Sequence, residues 1–249
     1  MHILFLSHYF PPEVNAPASR TFEHCRVWVE SGHQVSVVTC VPNHPRGEIY
    51  PGFRNSICRK ESRDGIDVYR LLTWVAPNRG FLRRTANYFF YLVMATLAAP
   101  FLPRVDVVVS TSPQFFCGLA GYFVSRLKRV PWVLEIRDLW PKSIVAVDAM
   151  RKSPVIRLLE RMESFAYRKA HGIVSVTDSF QSHIIARGGS EERLAVIKNG
   201  VNLDLFVPGQ ASKAFAIEHG LEDKFVAAYV GTHGMAHGLE TILHAADRL

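Results

Sequence analysis

The amino-acid sequence predicts an α/β fold built on a largely parallel sheet, and three observations carry that prediction. Short apolar runs rich in valine and isoleucine alternate with helix-length segments. The first run, Ile3 to Ser7, leads through a loop into a helical pattern that stops at Gly32, and a second run, Gln34 to Thr39, follows at once. Of 249 residues, 48% are hydrophobic and 20% charged, which supplies a substantial core and excludes disorder or a fibrous repeat. The length allows one large domain, or one domain and part of another, at about 100 to 200 residues each.

The elements follow in order. Ala18 to Ser31 carries Phe22, Cys25 and Val29 at helical spacing, and Gly32 is a natural helix stop. After the second strand comes a proline-bounded loop, Pro42-Asn43-His44-Pro45, then shorter strand candidates, of which Ile66 to Leu72 is clearest. The segment from Arg79 to Pro103 sets Arg79, Arg83 and Arg84 before the apolar run Tyr88 to Leu102. That run falls short of the roughly 18 to 20 residues that span a bilayer, and Pro100 interrupts it. It reads as a core helix or as an interfacial helix with a basic-aromatic flank.

Asp106 to Ser110 is the next strand, and Thr111 to Gln114 precedes a helix over Phe115 to Arg129. Trp132-Val-Leu-Glu135-Ile-Arg137-Asp138-Leu-Trp140-Pro141 then reads as a strand that ends in charge. Ligands of open α/β sheets bind beyond the strands' C-terminal ends, so Arg137 and Asp138 stand where reactive groups are expected. Ser153-Pro154 opens a long helix whose Glu160 and Glu163 are expected to form a solvated face paired with Arg157 and Arg161. Gly172 to Val176 is a further strand, a helix begins at Asp178-Ser179, and Leu194 to Ile197 leads to a turn at Lys198-Asn199-Gly200. Pro208-Gly209 breaks the pattern. A second unit follows: a strand over Phe225 to Val230, a glycine loop over 231–238 and a helix over Leu239 to Leu249. One βα unit cannot bury its own apolar face, so the expected division is a domain over 1–205 and, over 206–249, a linker with the first unit of an incomplete domain.

Composition narrows the function. Cys25, Cys40, Cys58 and Cys117 are scattered without metal-ligand spacing, which favours a reducing, cytoplasmic compartment and no metal site. Met1 to Ser7 lacks the basic start of a signal peptide. A formal charge of +7 and a pI near 9.4 point to an anionic partner: nucleic acid, a phosphorylated substrate or an anionic membrane. The basic residues are dispersed and match no nucleic-acid-binding motif, so no nucleic acid is expected. The loop after Val230 offers Gly231, Gly234 and Gly238 before a helix, a layout that suits phosphate. It is not the dinucleotide fingerprint, which is also missing after the first strand, so a nicotinamide enzyme is not expected.

Four motifs in sequence add up to a resemblance. Ser7-His8-Tyr9-Phe10-Pro11-Pro12-Glu13, the segment from Glu135 to Pro141, Asn199-Gly200-Val201-Asn202 and Gly231-Thr232-His233-Gly234 together make the chain resemble glycosyltransferase family 4. The likeness is strongest to the bacterial branch that adds amino sugars such as N-acetylfucosamine in O-antigen and capsule assembly. It implies a GT-B fold, with a Rossmann-like N-terminal acceptor domain and a C-terminal donor domain that is truncated here. It further implies retaining, metal-free transfer from a nucleotide-diphosphate sugar to a lipid-linked or glycan acceptor, without a cofactor, at the cytoplasmic membrane surface.

The loops after the first two strands supply His8, Tyr9, Glu13, Asn43 and His44 for the acceptor, and Asn15 and Asn199 join them as substrate-binding candidates; Gly231, Thr232, Gly234 and His237 are the candidates for phosphate, and the resemblance places Arg137 and Asp138 at the reacting centre. Asp138 would orient the acceptor hydroxyl. The sequence departs from the family at Asn15-Ala16-Pro17-Ala18, where a glycine pair is usual, and at Thr232 and His237, where an arginine and a lysine are usual. The family's later glutamate pair would lie beyond Leu249, so a fragment inactive by itself is expected. The alternative is a non-catalytic, membrane-associated binding module on the same fold.

Overall fold

A computed structural model describes residues 1–76, 81–143, 154–204, 206–207, 213–231, 233 and 237–248. Eight strands form one sheet in the order β3-β4-β2-β1-β5-β6-β7-β8, with β1 His2–Leu6, β2 Gln34–Cys40, β3 Cys58–Arg63, β4 Ile66–Leu71, β5 Val107–Thr111, β6 Trp132–Ile136, β7 Gly172–Ser175 and β8 Leu194–Val196. Every pairing is parallel except β3 with β4. The sheet is therefore the α/β arrangement that the alternating pattern predicts. Its helices are α1 Ala16–Glu30, α2 Phe81–Ala98, α3 Phe115–Lys128, α4 Pro154–Lys169 and α5 Gln181–Ala186, with α6 Lys213–Glu218 and α7 Glu240–Ala246 near the C-terminus.

Both faces of the central strands are buried, which is why the strands read as continuous apolar runs. Leu4, Leu6 and Val38 enter one cluster with Tyr91, Leu119 and Leu159, beneath α2, α3 and α4. Their strand neighbours Phe5 and Val37 enter the other with Cys25 and Phe10, beneath α1. Helix α1 starts because the Asn15 side chain accepts from the Ala18 N–H at 2.9 Å and Pro17 sits in its first turn. Gly32, at φ +82°, follows its end. Helix α3 lies close on the sheet through Gly118 and Gly121: a Cβ at Gly121 would overlap the Trp132 indole and the Ser110 hydroxyl, which are hydrogen-bonded to each other at 2.8 Å.

The chain moves from β1 to β2 on one side and resumes at β5 on the other, so the β1–β5 boundary is the topological switch point. The loops at that end carry most of the residues singled out above. Two expectations are corrected. Glu163 is buried rather than solvated and accepts from Tyr167 and His183, while Glu160 pairs with Arg187. Residues 225–230 form no strand, and Phe225 and Val230 are almost fully exposed. A strand needs a neighbour to satisfy its backbone, and among the described residues this segment pairs with no strand. Arg79, Ser153, Pro208-Gly209 and Leu249 lie outside the described residues.

Candidate functional site at the C-terminal edge of the sheet

The loop after β1 is held from below. Glu13 is buried, and its carboxylate accepts the backbone N–H groups of Asn43 at 3.0 Å, His44 at 2.9 Å and Phe10 at 3.4 Å. Burial raises its carboxyl above the ordinary range, and those three N–H groups oppose the shift. Arg70, also buried, donates to the carbonyls of Pro11 and Cys40 and to Glu61. Glu13 thus ties the loops after β1 and β2 together. Asn15 spends its carbonyl oxygen on the α1 cap, while its amide nitrogen is buried without a partner.

His8 is fully buried, edge-on to the rings of Tyr9, Tyr88 and Tyr91, with the Cys40 sulfur 3.5 Å from Nδ1. Burial, and secondarily His44, pull its pKa down to about 3, so it is neutral at pH 7. Above it, Tyr9, Asn43, His44, Arg84, Asn87 and Tyr88 line a small opening. His44 Nδ1 and Asn87 Oδ1 are buried there with no protein partner. Tyr91 is buried, whereas Phe89 on α2 and Trp74 are exposed, as are Arg83 and Arg84.

On the α1 side of the sheet a second cluster surrounds Glu135. Alternation along β6 puts Glu135 and Arg137 on this face and Ile136 and Asp138 on the other. Glu135 accepts from Thr111 Oγ1 at 2.5 Å and from Arg137 at 3.1 Å; Arg20 lies 3.7 Å away and His24 3.9 Å away. Burial lowers Arg20 to about 10, partly offset by Glu135, and burial likewise lowers His24. Two guanidinium groups thus face one carboxylate, leaving an excess positive charge beside the start of α1, and the buried Arg20 Nε has no partner. Arg137 also donates to the Asn199 side chain.

Arg137 and Asp138, adjacent in sequence, therefore work on opposite faces. Asp138 accepts from Ser143 at 3.1 Å and lines a separate cavity toward α3 and α4. Gly231 and His237 lie in the exposed segment after residue 225, whereas Thr232 and Gly234 lie outside the described residues. The sequence reading assigned no role to Arg20, His24 or Asn87, and gave Arg84 a place only in the basic flank of α2. Arg20 and His24 carried a signal, standing four apart on the first helix after the β1 loop; Asn87 carried none, lying inside an apolar run. Among the described residues no group of His, Cys, Asp and Glu is placed to hold a metal ion, and no helix is long and apolar enough to cross a membrane. All four cysteines are free thiols.

Comparison with known proteins adds family information to this geometry. A model of the glycosyl transferase 4-like domain matches residues 15–200. WcaI of Escherichia coli strain K12, named as a colanic acid biosynthesis glycosyl transferase, is 23% identical over 260 residues, covering 100% of this chain and 63% of its own length. WbjE of Pseudomonas aeruginosa, named as a glycosyltransferase, is 24% identical over 170 residues, covering 68% of this chain and 42% of its own length. Among solved structures, sucrose-phosphate synthase from Thermosynechococcus elongatus superposes with a TM-score of 0.69 at 15% identity, over all of this chain and 59% of that one. Anabaena HepE in complex with UDP-glucose superposes with a TM-score of 0.58 at 16% identity, over all of this chain and 57% of that one.

Proposed function

This chain belongs to the glycosyl transferase 4-like family, and from that premise we propose that it forms the acceptor-side half of an enzyme that moves a sugar from a nucleotide-diphosphate donor to a lipid-linked or glycan acceptor in bacterial surface polysaccharide assembly. The observation that carries the proposal is the excess positive charge around Glu135 at the sheet's C-terminal edge, within the segment that the family model matches. Arg20 and Arg137 lie there in a partly dehydrated setting where a leaving diphosphate develops charge, and preorganised cations act most strongly in such a setting. The name of WcaI supports the polysaccharide role, and the UDP-glucose complex of HepE supports the donor class. Asp138 orients the acceptor hydroxyl, and transfer retains the anomeric configuration, with an amino sugar as the donor group. The opening above His8, with unpaired groups on His44 and Asn87, receives acceptor hydroxyls.

The chain spans 63% of the length of WcaI, and a donor must be held across a cleft by a second wall, so turnover is expected of a longer protein rather than of these 249 residues alone. The protein works at the cytoplasmic face of the membrane, where Arg83, Arg84, Phe89 and Trp74 meet anionic lipid. The test is a screen of UDP-, GDP- and TDP-sugars against membrane lipid extract, using this chain with and without the remainder of its gene product. Labelled lipid or glycan from the longer protein alone is the expected result. Transfer by the short chain would refute the two-wall argument, and no transfer by the longer protein with any donor would refute the enzyme reading.

A further inference from the structure

Glu135 on β6 is the register partner of Thr111 on β5, and it is 6% exposed. Both of its oxygens are engaged: Oε1 accepts from Arg137 Nη1 at 3.1 Å, and Oε2 accepts from Thr111 Oγ1 at 2.5 Å and lies 3.7 Å from Arg20 Nη2. Thr111 Oγ1 accepts from Arg20 Nη2 at 3.2 Å, so the hydroxyl bridges carboxylate and guanidinium. The Arg20 and Arg137 side chains are 16% and 9% exposed, so each retains some contact with solvent. Arg20 Nε is a buried donor without a partner.

Burial lowers Arg20 most, Glu135 opposes that shift, and the Arg137 charge lowers Arg20 further, so the two guanidinium groups repel each other across the carboxylate. Burial also keeps His24 neutral above its ordinary range, which leaves one uncompensated positive charge in the cluster. A single carboxylate that bonds one guanidinium directly and reaches the other through a hydroxyl fixes the spacing of two groups that would otherwise move apart. Resting on the diphosphate role given above to the two arginines, we propose that Glu135 is a positioning residue: it touches no substrate, and it holds Arg20 and Arg137 at the separation that fits two neighbouring phosphoryl groups. Geometry and charge make opposite forecasts for the isosteric change Glu135→Gln. Loss of the negative charge alone strengthens attraction for every anion, whereas loss of the tether removes the preference for one spacing.

The probes are methylenediphosphonate and 1,3-propylenediphosphonate, which have similar charge and differ in the separation of their phosphorus atoms. Each is titrated by calorimetry into the 249-residue chain at low ionic strength and about pH 7.5, with folding checked by circular dichroism. The native chain should prefer the short-spaced anion by about tenfold, the discrimination expected of paired charge-assisted contacts. Glu135→Gln should reduce that preference below about threefold while binding the long-spaced anion at least as tightly as the native chain does. Thr111→Val removes the bridging hydroxyl, leaves every charge in place, and should also reduce the preference; it decides the matter if Glu135→Gln does not fold. A residue needed only for folding would weaken both anions equally and leave their ratio alone. No binding to the native chain, no spacing preference, or a preference unchanged in folded Glu135→Gln or Thr111→Val would each overturn the proposal, even if the longer protein transfers sugar. A spacing preference lost in the variants, together with no sugar transfer by the longer protein, would remove the transferase reading and leave Glu135 its positioning role.

Discussion

Acidification should destabilise this domain through its buried histidines, His8 above all. Its imidazole is enclosed by Tyr9, Tyr88 and Tyr91, and burial lowers its pKa from 6.5 to about 3. Between those values the unfolded chain binds the proton and the folded chain does not, so this contribution to stability is present above pH 6.5 and is lost as pH falls toward 3. Each unit of separation is worth about 1.36 kcal/mol, which gives roughly 5 kcal/mol over the full window and ~2.7 kcal/mol by pH 4.5. Glu13 has its carboxyl raised by burial, so its linkage runs oppositely and favours the fold at lower pH. The comparison that isolates His8 is therefore wild type against His8→Phe, which keeps an aromatic ring in the cage and cannot titrate. Urea unfolding at pH 7.5 and 4.5 should show the wild type losing about 2 to 3 kcal/mol more than the variant. Equal losses in the two proteins would refute the argument that His8 is buried neutral.

Three further outcomes are expected. Glu13→Ala strands the N–H groups of Asn43 and His44 and should cost about 3 to 5 kcal/mol in urea unfolding; a cost below about 1 kcal/mol would show that the two loops do not depend on it. Gly121→Ala drives a methyl group into Trp132 and Ser110 and should cost about 1 to 3 kcal/mol by thermal unfolding, whereas an unchanged melting temperature would contradict the close approach of α3 to the sheet. Flotation with anionic liposomes should be lost when Arg83 and Arg84 are both changed to Glu; retained flotation would remove the electrostatic attachment proposed for α2.

The strand and helix order was legible because parallel strands buried on both faces are largely apolar, as Ile3 to Leu6 and Val107 to Val109 are. The end of α1 followed from Gly32, whereas its start at Ala16, capped by Asn15, lies two residues before the Ala18 expected from the pattern. What the sequence could not reveal was the direction of charged side chains within that frame. Glu163 stands among Arg157, Glu160 and Arg161 and reads as solvent-facing, yet its position on α4 turns it inward toward Tyr167 and His183, which lies on another helix. Arg137 and Asp138 read as one site, and the pleat sends them to two. Residues 225–230 have a strand's composition, but pairing is a property of neighbours, and composition does not supply one. Among the residues the family likeness marks, His8 and Glu13 are buried in the loops that support the edge, and the cations Arg20 and Arg137 came together only through the fold.

The central claim is that sugar transfer is carried by the cationic edge of the sheet at its switch point. The most direct measurement is kcat/KM for transfer by the complete gene product from its preferred nucleotide sugar, comparing wild type with Arg20→Gln, Arg137→Gln and Asp138→Asn at matched folded fraction. Loss of one group that stabilises developing charge is worth about 10²- to 10³-fold. Either arginine change should therefore reduce kcat/KM by that order, and Asp138→Asn should reduce it as well. Wild-type values in both arginine variants would contradict the claim that this edge carries the transfer.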